Sequence, residues 1–302
     1  MILLSITLAT IGIQLRYPGS RGFLFIPLSA LMWGWLSVMH SAGHRAYFRN
    51  RLGNAVSGLV ASLFILVPFY PWRYHHGLHH RWTGWMDLDP TSGDLPKKIP
   101  ERRALSGLNF FWKTWFPILS IVHTVQHLWN PFRFWKVPGP KIRILKCVSS
   151  VIWIAVVHAF VAWNWPWEYA TILGPAVAFF LLLSDPVLMS QHAQIPMKRS
   201  QDFQANAVRP FAPKLHDAFT RSFTIHPWID RWVFLNFNLH SAHHRYPTVP
   251  HYELHRVQFQ TSHIEPLFPW IWKLKKQHIR DVLFGIDPKY GATEDFKQVS
   301  KT

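Results

Sequence analysis

The stretch YHHGLHHRW (Tyr74–Trp82) places four histidines within six residues, directly after the apolar run LGNAVSGLVASLFILVPFYPW (Leu52–Trp72). Read as a helix, it sets His76, His79 and His80 at i, i+3 and i+4, on one face and within reach of one ion. His75 reads as a neighbour of that triplet rather than a member. The same H-x-x-H-H spacing returns in HSAHH (His240, His243, His244), and HSAGH (His40, His44) supplies a third cluster at i, i+4. One H-x-x-x-H pair is weak evidence for a metal. Three clusters, two of them identically spaced, are strong evidence.

Ligands of one site must converge at one depth, so the chain around the clusters has to bring them together. Four segments read as membrane spans, near the length of about 20 apolar residues that crosses a hydrocarbon core. They are residues 1–15, 23–39, 147–165 and 169–189. The first of them does not read as a signal peptide, because it lacks a basic start and a small-residue cleavage site. The second span ends at His40, and the fourth delivers His192 in MSQHAQ. Convergence then requires that residues 52–72 lie in or dip into the interface without crossing.

Charge supports one orientation. Of the 32 Lys and Arg residues, the expected outer loops hold only Arg16 and Arg21, whereas residues 43–147 hold fifteen and residues 193–302 hold fifteen. Basic residues stay on the cytoplasmic side, so both polar segments and the histidine clusters are expected there. The formal net charge of +17 then faces anionic head groups and calls for no nucleic acid. Seventeen tryptophans suit the two membrane interfaces. The expected fold is all-α: a single polytopic membrane domain over 1–302 with about four spans, interfacial helices, and a cytoplasmic helical cap over 193–302 that holds a two-metal site.

The single cysteine, Cys147, excludes an internal disulfide and any thiolate cage. Nitrogen and oxygen must hold the metal. The candidate ligands are His40, His44, His76, His79, His80, His192, His240, His243 and His244. Nine exceed what one zinc accepts and fit two ions at four or five nitrogens each. Imidazole suits iron, copper, zinc and nickel alike. Bis-histidine haem fits poorly, since it needs two facing histidines rather than clusters of three. Carboxylates that could orient the rings are Asp87, Asp89, Asp185, Asp217, Asp230 and Glu253. His123 and His127 read as interfacial packing, His158 as a satisfied buried imidazole, and His251 as a neighbour of the third cluster. His216, His226, His255, His263 and His278 read as surface or interfacial.

The three histidine boxes across an apolar, basic chain resemble the membrane-bound fatty-acid desaturase superfamily. LVPFYPWRYHHGLHHRWTGWMDLDP around box two, QH at 191–192 and HSAHHRYPTVPHYEL at 240–254 are most similar to its omega-6/omega-3 acyl branch. The sequence departs from that branch in box one, which lacks an acidic residue after its first histidine, and at Gln194, where a second histidine is expected. The resemblance implies that the nine histidines bind two non-haem irons. A weaker tenth position falls to a water or to Asn236. It also implies dioxygen as co-substrate and double-bond formation in a long acyl chain. Hydroxylation or ketolation of an alkyl or carotenoid substrate is the alternative the same ligands allow. No haem domain, flavin or nicotinamide motif or cysteine cluster is present, so electrons are expected from a separate donor, a ferredoxin or a small b-type cytochrome.

Overall fold

The computed structural model describes residues 2–92, 102–136, 140–257, 261 and 263–291. Met1 of the first expected span, and residues 258–260, 262 and 292–302 of the expected cap, lie outside them. The chain divides into two compact units. One comprises Met1–Arg73, Leu119–Leu183 and Trp228–Leu235; the other comprises Tyr74–Ile118, Ser184–Pro227 and Asn236–Thr302.

In the first unit, α1 (Ile2–Arg16) and α3 (Arg51–Ile65) both pack on the apolar helix α2 (Arg21–Gly43). Trp35 of α2 stacks on Phe64 at 4.5 Å, and its indole N–H donates to Thr7 Oγ1 at 3.0 Å. A buried Trp needs such an acceptor. Trp33 stacks on Phe234 at 4.9 Å and meets Phe180 edge-on. Asn50 caps α3 by accepting from Gly53 N at 2.6 Å. The chain then breaks: Leu66 takes a left-handed conformation (φ 55°), Pro68 follows, and α4 (Phe69–Trp82) leaves at 102° to α3. Gly58 is required beside this corner, because a Cβ there would lie 2.3 Å from the Phe69 ring. The run 52–72 is therefore two helices rather than one.

The rest of this unit is helical. α6 (Ile118–His123) passes into a π turn (Thr124–Leu128), and α7 (Ile142–Asn164) leads through α8 (Pro166–Glu168) and a second π turn (Tyr169–Leu173) into α9 (Gly174–Ser190). His158 on α7 bonds the Leu63 carbonyl at 2.9 Å and the Tyr169 hydroxyl at 3.0 Å, the satisfied imidazole expected from sequence. Leu63 O lies in the last turn of α3, where carbonyls lack helical partners. Apolar side chains such as Trp163, 87% exposed, cover the outside of α7.

Three stretches are long and apolar enough to cross a membrane, Pro18–Gly43, Ile142–Asn164 and Pro166–Ser190; a fourth exists only if bent α3–α4 counts as one. Helix α1, at 15 residues, is short: at 1.5 Å per residue it spans about 22 Å, against a core of about 30 Å. The expected "about four" spans thus become three clear ones among the described residues.

The second unit holds the remainder of α4, the end of α9, α5 (Arg102–Lys113), a 3₁₀ helix (Pro213–Phe219), α11 (His240–Arg245), α12 (Leu267–Lys276), α13 (Ile279–Phe284) and α14 (Pro288–Gly291). Short α10 (Pro227–Ile229) straddles the division. The expectation of an all-α chain needs one correction. Ser222–Thr224 (β1) and Ile264–Pro266 (β2) pair in parallel, with Phe223 opposite Glu265. Three residues per strand leave no alternation pattern to read.

Helices α5 and α12 satisfy each other's ends. Lys113 Nζ donates to the carbonyls of Lys275 (2.9 Å) and Lys276 (2.7 Å), while Lys275 Nζ donates to Trp112 O and sits over the Trp112 ring. Cations at helix C-termini are favourable. A second clamp is Arg221, which is fully buried. Its guanidinium donates to Ser190 O, to Ala193 O (3.0 Å) and to Tyr290 Oη (2.8 Å), and packs on Trp270 and Tyr290. Replacing Arg221 with Met strands the buried Ser190 carbonyl and the part-buried Ala193 carbonyl and should destabilise the protein by roughly 2–5 kcal/mol. Denaturant unfolding checks this; a loss below about 1 kcal/mol would show the clamp to be dispensable.

Candidate metal centre

The local sequence explains how each ring reaches its place. On α4, His76 and His80 lie one turn apart, with Nε2 atoms 3.0 Å from each other. The helix ends at Trp82, and Gly84 (φ 94°) reverses the chain against Phe219, whose ring would clash with any Cβ there. That reversal brings Asp89 back onto the helix, where its carboxylate lies 2.7 Å from His79 Nδ1. Both side chains are buried. Thr91 secures the other carboxylate oxygen through its backbone N–H (2.9 Å) and hydroxyl (2.7 Å). Burial alone would raise the carboxyl's pKa, but His79, with Thr91, holds it below the usual range.

Box three sits on α11, anchored at its start by the strand before it. Ser241 N donates to Ser222 Oγ, and Asn238 exchanges bonds with the backbone of Phe223. The turn after α9 carries His192, whose Nδ1 donates to Phe219 O at 3.0 Å. Burial pushes His192 down to about 3, and His240 and His244 well below their ordinary values. These three rings are neutral.

Within the second unit the rings form two sets. His79, His192, His240 and His244 each offer a nitrogen, all within 4.8 Å of one another. The Nε2–Nε2 separations are 3.3 Å for His79–His244 and 2.8 Å for His192–His240. His80 joins the second set, with Nε2 3.0 Å from that of His76 and 2.9 Å from that of His243. Seven of the nine sequence-predicted ligands thus converge here. His40 and His44 belong to the first unit, at the end of α2, with ring centroids 5.1 Å apart and His40 against Trp72. Gly43 makes room for that indole, since a Cβ would lie 2.5 Å from it.

The donor set fits a metal. A carboxylate and a carbonyl can only accept, so Nδ1 of His79 and of His192 must carry their protons. In the neutral form of each ring the Nε2 atom then carries the lone pair, and these atoms face His244 and His240 respectively. Metal–imidazole bonds of about 2.0–2.1 Å place neighbouring ligand nitrogens about 3 Å apart, and the observed separations match.

The remaining candidates sort themselves. Of the six carboxylates, Asp89 holds a ring of the set; Asp87 accepts from Ser200, and Glu253 pairs with Arg256 at 2.9 Å. Asn236 donates to His251 O at 3.0 Å. His251 stacks on His243 at 4.7 Å. His75, though buried, joins neither set. Two expectations need correction: His216 and His263 are buried, not superficial. His263 bonds Thr220 O at 3.1 Å. His216 lies among the clustered rings, and its isolated place in PKLHDAF (Pro213–Phe219) carries no spacing signal that could have revealed this.

Known proteins give the geometry its context. The chain is 24% identical to the "Omega-6 fatty acid desaturase, chloroplastic" of Arabidopsis thaliana over 91% of its own length and 62% of that protein's. It is 24% identical to the "sn-1 acyl-lipid omega-3 desaturase (ferredoxin)" of Nostoc sp., covering 81% of this chain and 68% of the relative. It is 25% identical to the "sn-1 oleoyl-lipid 12-desaturase" of Picosynechococcus sp., covering 85% and 74%. The chain therefore spans somewhat less than two thirds of the Arabidopsis relative. The sequence model described as "Fatty acid desaturase" matches residues 20–269, which include every histidine of the three boxes as well as His192. This chain belongs to the fatty acid desaturase family.

Proposed function

We propose that the protein is an O2-dependent, di-iron acyl-lipid desaturase that introduces a double bond into a long acyl chain. The observation that carries this reading is the convergence of imidazoles, two of which have their Nδ1 atoms held by Asp89 and by Phe219 O. Family membership and the names of the relatives support the reaction class. The nine ligands are His40, His44, His76, His79, His80, His192, His240, His243 and His244.

Two irons, when bound with dioxygen, supply the oxidising power for an unactivated C–H pair that no acid–base side chain can attack. The chain's own groups set the conditions. Asp89 fixes the orientation and tautomer of His79 and raises its basicity as a ligand. The Phe219 carbonyl does the same for His192. The buried surroundings keep bulk water from the reacting carbon. Overall, two hydrogens leave the substrate, and dioxygen takes them up with two further electrons and two protons to give two waters.

Those electrons come from a separate donor. Two relatives carry "(ferredoxin)" in their names, and the basic balance of this chain suits an acidic carrier. The histidine boxes and the cap over 193–302 face the cytoplasm, and residues 52–72 dip into the bilayer and return, as the break at Leu66–Pro68 and the 102° bend support. Expression in a host of known lipid composition, followed by mass analysis of its fatty acids, tests the reaction. New species about two mass units lighter are expected. Products heavier by about sixteen would instead mean hydroxylation.

A further inference from the structure

The 3₁₀ helix Pro213–Phe219 packs against α11 and supplies more than the Phe219 carbonyl that orients His192. Its His216 is 2% exposed. The Nε2 atom of His216 faces Phe211 O at 3.3 Å, and Thr220 Oγ1 holds the His216 carbonyl at 3.0 Å. A carbonyl accepts, so the ring's proton sits on Nε2 and Nδ1 carries a lone pair. That Nδ1 is buried and makes no hydrogen bond to the described residues. A buried acceptor left without a donor is costly, and none of the described residues donates to this one.

The surroundings name the partner. One nitrogen each of His80, His216 and His244 lie within 4.8 Å of one another, and the His216 and His244 ring centroids are 5.7 Å apart. His80 belongs to the His76–His243 set and His244 to the His79–His192–His240 set, so His216 stands where the two sets adjoin. A buried imidazole with a nitrogen close to those of two others suits a borderline divalent transition ion.

We propose that His216 is a tenth histidine of the metal centre, a further nitrogen ligand to one of the two ions, beside His80 and His244 where the two sets adjoin. This rests on the metal-centre reading above. Loss of its nitrogen should weaken the hold on one ion while leaving the fold intact.

Cobalt(II) titration of the full-length, metal-stripped protein in detergent tests the proposal, with bound equivalents and the visible ligand-field spectrum as readouts. Two variants are compared with the wild type, each checked for an unchanged melting temperature without metal. His216→Phe keeps the aromatic bulk; His216→Gln keeps a donor for Phe211 O but not the imidazole nitrogen. Both are expected to bind one of two ions about 10–100-fold more weakly, with an altered spectrum. Should His216→Phe fail to fold, His216→Gln decides alone. Wild-type affinity and spectrum in either variant would overturn the proposal, since a Gln that restores them shows that only the Phe211 bond matters. A wild type that binds no cobalt would remove the metal-centre reading itself, and this proposal with it.

Discussion

Replacing His244 with alanine should abolish both metal retention and product formation. His244 touches rings of both sets. His244 Nε2 lies 3.3 Å from that of His79, and its ring stacks on His80 at 4.1 Å and meets His240 at 4.4 Å. Losing one imidazole from a four-nitrogen set costs more than the roughly 10–100-fold that mutating a supporting partner costs. It also opens a cavity beside the remaining rings, so the protein should be somewhat less stable as well. Metal content and fatty-acid analysis on the same preparation read the two effects, with His226→Ala, an exposed residue, as control. A variant that keeps both ions and makes product would place the reaction elsewhere.

Asp89→Asn should lower metal affinity by about 10–100-fold, the second-largest effect expected. The substitution keeps size and can keep a hydrogen bond, but it removes the charge. The Asp89 carboxylate can only accept, which holds a proton on His79 Nδ1 and, in the neutral ring, leaves the lone pair on Nε2. An asparagine can present its NH2 to the same nitrogen, and the opposite tautomer then becomes available, with the Nε2 lone pair lost. The polar surroundings of Asp89 do not change this, because Thr91 serves only the second oxygen. Equilibrium metal titration against a competing chelator measures the change. An affinity within about twofold of wild type would show that His79 is oriented by packing alone. Asp89→Glu, which keeps the charge at a shifted position, should fall between the two.

Much of this centre is legible in the sequence because helix geometry turns spacing into position. H-x-x-H-H on α4 and on α11 each place three rings on one side, and His192 follows from the end of an apolar helix. His158 as a hydrogen-bonded imidazole is equally readable, although it is half-buried rather than buried. Proline at 68 and 71 marked a disturbed segment, and the chain does bend there.

What could not be read depends on contacts between segments remote in sequence. Six carboxylates were equivalent on paper; only the reversal at Gly84 selects Asp89. His216 stands alone in its stretch, and a 3₁₀ turn packed against α11 brings it to the cluster. The β1–β2 pair rests on three residues a side, too short for a period to show. Arg221 looked like one more basic residue in a basic segment. Its role appears only once Ser190, Ala193 and Tyr290 are seen around it.

The central claim is that these histidines hold two irons. Elemental analysis of the full-length protein, purified without chelators and normalised to protein by amino-acid analysis, tests it most directly. Two iron ions per chain, falling below one in His244→Ala, are expected. One ion or none in the wild type, or another metal in stoichiometric amount, would contradict it.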